Sequence, residues 1–216
     1  MIFDCDSTLS SIEGIDRLAY RCRAEVEQLT EAAMRGEVAL EEVYGRRLAI
    51  VQPTRDEVDA LGEQYIATMV PGAREVVNGL QASGVTVYIV SGGIRNAVLT
   101  LARSLDVADD KVFAVDLHFS DDGSYAGFDT ASPLARSGGK RVLLESWGSA
   151  LTRPVMFVGD GATDLEAKPV VDCFVAFAGV IERPNVVAGA DVVVRTPALT
   201  PLLPLALGER SLELTG

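Results

Sequence analysis

The chain has 216 residues, 48% hydrophobic, 23% charged and 6% aromatic, ordinary proportions for a globular protein that exclude long disorder and fibrous repeats. Nineteen basic residues against 31 acidic ones leave a formal charge of −12, which repels phosphate backbones and anionic lipid. Neither nucleic acid nor a membrane is therefore expected as a partner, and an anionic ligand needs a local positive cluster or a metal.

Only Met1, Ile2 and Phe3 precede an acidic pair, Asp4 and Asp6, so a first strand there is expected to be very short and the natural start to lie upstream. Residues 13–69 carry helical patterns without a convincing strand, broken near Arg35-Gly36 and at Gln52-Pro53-Thr54. Thr54 and Glu57 have capping-box spacing for a helix that starts between them. That stretch is too long for one crossover and predicts an inserted helical cap, 13–70, on a core built from 1–12 and 71–216.

Further on, helical patterns at 73–83, 94–105 and 139–149 alternate with apolar runs at 85–90 (VTVYIV), 155–158 (VMFV), 173–177 (CFVAF) and 192–194. None of these runs alternates with polar residues, as expected of strands buried on both faces. The order predicts an α/β fold: a doubly wound, Rossmann-like parallel sheet, with ligands at the carboxyl ends of its strands. Residues 111–128 alternate on either side of Asp121-Asp122-Gly123 and read as a hairpin insertion. Cys5, Cys22 and Cys173 are an odd set without CxxC spacing, which predicts free thiols. With neither a signal-peptide pattern nor an apolar run of membrane-spanning length, a cytoplasmic protein is expected.

The strand ends share one chemical theme. Asp4-Cys5-Asp6-Ser7-Thr8 follows the first, Ser91-Gly92-Gly93 the second, and Gly159-Asp160-Gly161-Ala162-Thr163-Asp164 the next, while Lys140 stands within SGGK at a helix start. Carboxylates gathered in one place need a cation among them, and oxygen ligands without His or Cys select a hard one, most plausibly Mg²⁺, one per site. A Ser-Gly-Gly turn opening a helix offers a hydroxyl and free N–H groups to a phosphate, and Lys140 adds a point charge. Such a set suits a small phosphomonoester: an Asp attacks phosphorus and water cleaves the acyl phosphate. Asp4 and Asp6 point the same way along an extended segment, which suits Asp4 as nucleophile and Asp6 as general acid and base.

FDCDSTLSSIEGID resembles the first motif of the haloacid dehalogenase superfamily, in the form found in its phosphoserine phosphatases. VSGG, SGGK and VGDGATDLEA resemble motifs two to four, and RLAIVQP, VPGAREVV and YAGFD extend the likeness from Ile2 to about Val194. The resemblance implies a Rossmann-like core, a helical cap after motif one, Mg²⁺, and hydrolysis of L-phosphoserine to L-serine and phosphate, the last step of serine biosynthesis. It implies Asp4 as nucleophile and metal ligand, Asp6 as general acid and base whose backbone carbonyl also meets the metal, and Asp160 as a further ligand with Asp164 near the ion. Ser91, Gly92 with Gly93, and Lys140 match the phosphate-binding positions, and Thr163 one that contacts substrate or phosphate. In the cap, Glu13 matches the residue that receives the serine ammonium, Arg47 its carboxylate, and Met34 an apolar lid position. Arg35 stands where a glycine often follows that methionine.

Each motif alone also has an ordinary reading. An Asp pair before Ser-Thr can be a turn or helix cap, and an isolated Lys140 can be a solvated lysine. Arg46 competes with Arg47, Arg183 follows Gly179 as a weaker candidate for the site, and His118 reads as an exposed hairpin residue. Trp147 and the tyrosines read as packing. Cys5, between the aspartates, is expected to face the core. Related phosphatases or phosphotransferases acting on phosphohomoserine, histidinol phosphate or a sugar phosphate are alternatives, and a receiver-like signalling domain is a remote one. The expected partner is a small phosphomonoester, on a monomer or homodimer.

Overall fold

In the computed structural model the first strand, β1, spans only Ile2–Phe3. Two residues suffice because both side chains are fully buried and strands pair with β1 on each side. The structure describes residues 1–34, 37–38 and 40–208, without the side chains of residues 30, 33, 34, 40 and 41. After β1 come helices α1 (Gly14–Leu18), α2 (Arg23–Met34), α3 (Leu40–Val51), α4 (Arg55–Ala67) and α5 (Ala73–Ala82). The remaining chain alternates: β2 (Tyr88–Ile94), α6 (Arg95–Ser104), β3 (Val112–Val115), β4 (Leu117–Phe119), β5 (Tyr125–Phe128), α7 (Gly139–Trp147), β6 (Met156–Gly159) and α8 (Ala162–Leu165). It ends in β7 (Cys173–Phe177), α9 (Pro184–Gly189), β8 (Val192–Val194) and α10 (Leu202–Ala206).

Six strands form one sheet in the order β3-β2-β1-β6-β7-β8, with every pair parallel. Successive residues of each strand enter opposite cores. Phe3, Ile89, Val158 and Val175 pack with α4, α5 and α6 on one face, whereas Ile2, Val90, Phe157 and Phe174 pack with α7 and α9 on the other. Strands with apolar side chains on both faces must be covered twice, which is the physical content of a doubly wound sheet. The chain winds outward from β1 in one direction through β2 and β3 and in the other through β6, β7 and β8. The crevice beyond the carboxyl end of β1 is therefore the place such a sheet leaves for a ligand. Among the described residues no helix is long and apolar enough to cross a membrane.

The helix from residue 55 starts as its sequence dictates. The Thr54 hydroxyl accepts the Glu57 N–H at 3.3 Å and Glu57 Oε2 accepts the Thr54 N–H at 2.9 Å, so both capping bonds are made. This helix, α4, packs along α6 and sends Val58, Leu61 and Tyr65 into the larger core.

Two elements differ from the expectation. The alternation read over 111–128 as one hairpin splits: β3 joins the parallel sheet beside β2, and only β4 and β5 pair antiparallel. VFAV is apolar throughout and can be buried on both faces, whereas the strands after Asp116 expose residues such as His118. The turn is as expected, with Gly123 at φ 82° and Asp122 Oδ1 accepting the Ser124 N–H at 2.9 Å. The second strand starts at Tyr88 and runs on through Ser91-Gly92-Gly93 to Ile94, with an irregular register between Val90 and Ile94. The glycines do not end the strand; they let it bend at the sheet edge of the crevice.

Candidate active site

Beyond β1 the backbone N–H of Asp4 still donates to Val158 O at 2.9 Å, so the first carboxylate is fixed by the sheet. Cys5 turns into the core, as alternation requires, and Asp6 emerges on the side of Asp4. The carbonyl of Cys5 then accepts the N–H groups of Leu9 and Ser10 at 2.9 and 3.0 Å, a tight turn in which Ser7 takes a φ of 53°. That turn brings Glu13 back over the aspartates, where its Oε1 accepts the Ser7 hydroxyl at 2.7 Å.

Asp160 and Asp164 arrive from β6 and α8, and each of Asp4, Asp160 and Asp164 offers one oxygen within 4.8 Å of the others. Lys140, at the start of α7, is only 4% exposed; its Nζ lies 2.7 Å from Asp4 Oδ1 and also pairs with Asp164 Oδ1. The same ammonium therefore bridges the two buried carboxylates of Asp4 and Asp164. Asp164 is spent on the protein, with Oδ1 on Lys140 and Oδ2 accepting the Gly161 N–H at 2.8 Å. Asp160 accepts the Thr8 hydroxyl at 3.4 Å and Arg183 Nε at 3.0 Å. Asp4, Asp6, Glu13, Asp160, Asp164 and Arg183 line a cleft of about 600 Å³ with Thr163 exposed at its rim.

Burial governs the electrostatics. It pushes the Asp160 carboxyl up to about 6, helped by Asp4 and opposed by Arg183. Burial and the Asp4 charge push Asp164 up to about 7 against the pull of Lys140. Asp6 rises to about 8 through burial, then Glu13 and Asp4, although the Tyr65 hydroxyl and the Gly14 N–H favour its ionised form. Burial works against the Lys140 ammonium, but Asp164 and Asp4 outweigh it and hold the amine above its ordinary value. Lys140 and Arg183 thus face more carboxylates than they can balance. The ligand atoms on offer are oxygens only, so the cluster fits a hard divalent cation such as Mg²⁺.

A pH dependence follows. The folded carboxyls keep protons that the unfolded chain gives up near its ordinary value of 3.8. Without a cation, the native state thus binds more protons between about pH 4 and 8, and stability must fall as pH rises through that window. In EDTA the unfolding temperature is expected to drop from pH 5 to pH 8. Mg²⁺ should raise it more at pH 8 than at pH 5.5, where the ion has to displace protons. Thermal melts across pH with and without Mg²⁺ measure this, and a melting temperature indifferent to both would remove the cluster as a cation site.

On the other side of Asp4, Ser91 is 1% exposed and its Oγ accepts the Gly93 N–H at 3.0 Å. Gly92 and Gly93 follow it on β2, the strand that pairs with β1. Gly159, ending β6, has no room for a side chain: a Cβ there would lie 2.3 Å from Asp164 Cγ. Gly159→Ala must push Asp164 off Lys140 and is expected to cost about 1–3 kcal/mol, read as a shift in the urea midpoint. An unchanged midpoint would mean that Asp164 is not held where the structure has it.

The cap candidates divide. Glu13 faces the cleft, and its Oε1 also meets Arg183 Nη2 at 3.4 Å. Arg47 instead faces a neighbouring cavity of about 400 Å³ lined by Asp16, Arg23 and Glu27, and it pairs with Asp16. Its Nε and the Tyr44 hydroxyl, three residues earlier on the same face of α3, are buried without hydrogen-bond partners. Arg46 pairs with Glu42 at 2.6 Å on the exposed side. Met34 ends α2, and its side chain, like all of Arg35, lies outside the described residues. Two further residues meet the site that the sequence marks weakly or not at all. Arg183 was a weaker candidate, because a lone Arg after a strand carries no spacing signal. Tyr65 read as packing, because residues 58, 61 and 65 look like any apolar helix face, yet its hydroxyl donates to Asp6 Oδ1 at 2.5 Å.

The chain matches the family model described as haloacid dehalogenase-like hydrolase over residues 1–167. The phosphoserine phosphatase of Bos taurus is 40% identical over 192 residues, covering 88% of this chain and 85% of that one. That of Homo sapiens is 40% identical over 187 residues, 85% of this chain and 83% of the relative. Among solved structures, a phosphoserine phosphohydrolase-like protein from Francisella tularensis superposes with a TM-score of 0.79 at 28% identity, covering 94% of this chain and 97% of the other. A substrate-bound phosphoserine phosphatase complex gives a TM-score of 0.76 at 27% identity, covering 94% and 96%.

Proposed function

The chain belongs to the haloacid dehalogenase-like hydrolases, and from that premise we propose that it hydrolyses O-phospho-L-serine to L-serine and inorganic phosphate through a phosphorylated Asp4. The observation that carries this reading is Asp4 itself: a buried carboxylate at the carboxyl end of the central strand, with the Lys140 ammonium 2.7 Å from its Oδ1 and Asp160 and Asp164 gathered beside it. A receiver-like signalling role is set aside, since the family is one of hydrolases.

An oxygen of Asp4 attacks phosphorus as the bond from phosphorus to the serine oxygen breaks, and Asp6 gives its proton to the departing alkoxide. Asp6, now ionised, takes a proton from water, whose oxygen attacks the same phosphorus and frees Asp4 and phosphate. Burial holds the Asp6 carboxyl above its ordinary value, which favours the protonated form that such an acid needs. Lys140, the Ser91 hydroxyl and the Gly92 N–H hold the phosphoryl oxygens, with the Gly93 N–H fixing that hydroxyl, and Lys140 also offsets charge on the acyl phosphate. Asp4, Asp160 and the backbone carbonyl of Asp6 would hold Mg²⁺, with Asp164 fixing Lys140 alongside; when bound, the ion supplies positive charge against the phosphoryl oxygens.

Residues 13–70 act as the cap that selects the substrate, with Glu13 for the ammonium and Arg47 for the carboxylate. The unpartnered Arg47 Nε and Tyr44 hydroxyl support this, because buried donors without acceptors favour a ligand that brings one. The test is phosphate release from a panel of phosphoserine, phosphohomoserine, histidinol phosphate, sugar phosphates and p-nitrophenyl phosphate with Mg²⁺. Phosphoserine is expected to show the highest kcat/KM, and preference for another ester would overturn the substrate assignment.

A further inference from the structure

Tyr65 sits on α4, remote in sequence from the motifs, and none of its surface is exposed. A buried tyrosine needs a partner for its hydroxyl, and this one donates to Asp6 Oδ1 at 2.5 Å. The other oxygen, Oδ2, accepts the Gly14 N–H at 3.2 Å, so two elements grip the two oxygens of one carboxyl group. The fit is tight: a Cβ on Gly14 would lie 2.1 Å from the Tyr65 oxygen, and one on Gly93 would lie 3.5 Å from it. Only a hydrogen at residue 14 admits the hydroxyl.

We propose that Tyr65 is a positioning residue for the acid step, fixing the plane of the Asp6 carboxyl so that its proton reaches the leaving oxygen. The inference rests on the role given to Asp6 above. A general acid has to approach within about 2.6–3.2 Å of the atom it protonates, and misplacement by about 1 Å can cost 100-fold. With the Tyr65 bond removed, Asp6 keeps one tether and can rotate about it.

The test compares kcat/KM for phosphoserine and p-nitrophenyl phosphate in wild type, Tyr65→Phe, Gly14→Ala, Asp6→Asn and the double variant of Tyr65 and Asp6, with thermal unfolding of each. This ratio reports steps up to departure of the leaving group, and nitrophenolate departs without a proton. Tyr65→Phe should lower kcat/KM for phosphoserine by about tenfold, leave p-nitrophenyl phosphate within about twofold, and add nothing in the Asp6→Asn background. Gly14→Ala keeps the tyrosine but displaces its hydroxyl and should give the same selective loss; it decides the matter if Tyr65→Phe does not fold. Equal losses on both substrates, a full additional loss in the Asp6→Asn background, or no loss at all would overturn the proposal. If wild type prefers another alkyl phosphate, the substrate assignment fails alone and the same comparison is made with that ester. If no alkyl phosphate is hydrolysed, the role of Asp6 fails and Tyr65 falls with it.

Discussion

Asp4→Asn should reduce turnover of phosphoserine by at least about 10³-fold while the protein still folds. An amide oxygen carries no charge with which to attack phosphorus, and the amide removes one of the carboxylates that would hold the proposed cation. The fold should survive because β1 is held by Ile2 and Phe3, both fully buried, and the Asp4 backbone bond to Val158 does not depend on the side chain. Lys140 keeps Asp164 as a partner, and relief of repulsion with Asp160 and Asp164 compensates for the lost ion pair. Acid quenching of wild type during turnover of labelled phosphoserine should trap a protein-bound phosphate that hydroxylamine removes, as an acyl phosphate does. Asp4→Asn should trap none. Activity above a few per cent, or an equal amount of trapped label, would move the nucleophile elsewhere.

The candidate site was legible as a cluster because its residues are tied to strand ends. Asp4, Ser91 and Asp160 each follow or close an apolar run, and a parallel sheet can only bring those ends to one edge. Lys140 was legible for a related reason, since SGGK opens the helix that returns beneath that edge. Where one strand stops was less legible: an apolar run signals burial, but the bend at Ser91-Gly92-Gly93 depends on register with β3, which no local pattern encodes. The hairpin stands where Asp121-Asp122-Gly123 puts it, but where its first strand begins was not legible, because alternation in a short edge strand and in a ribbon look alike until the partner is known. Tyr65 was illegible and Arg183 only weakly marked, because their partners lie 59 and 23 residues away, on Asp6 and Asp160. Their roles come from packing of α4 on α6 and from the loop after β7, which the sequence specifies only through the whole fold.

Arg47→Ala should lower kcat/KM for phosphoserine by roughly 10- to 150-fold and hardly change hydrolysis of p-nitrophenyl phosphate. Phosphoserine differs from a simple phosphate ester by its ammonium and carboxylate, and an acidic protein offers the carboxylate no general attraction. A charge-assisted bond from Arg47 is worth about 1.5–3 kcal/mol, which gives that range. Arg47 has to leave Asp16 to make it, but Asp16 is half exposed, and an ion pair of that kind contributes at most about 1 kcal/mol. The buried, unpartnered Nε shows that Asp16 does not satisfy the guanidinium fully, so the exchange of partners costs little. Glu13→Gln should also penalise phosphoserine selectively, through the ammonium, whereas Arg46→Ala, which loses only an exposed pair with Glu42, should behave as wild type. Equal losses on both substrates in Arg47→Ala would make the arginine structural, through its contact with Asp16. A selective loss in Arg46→Ala instead would put carboxylate recognition one residue earlier, on the other side of α3, and would require that helix to turn in the substrate complex.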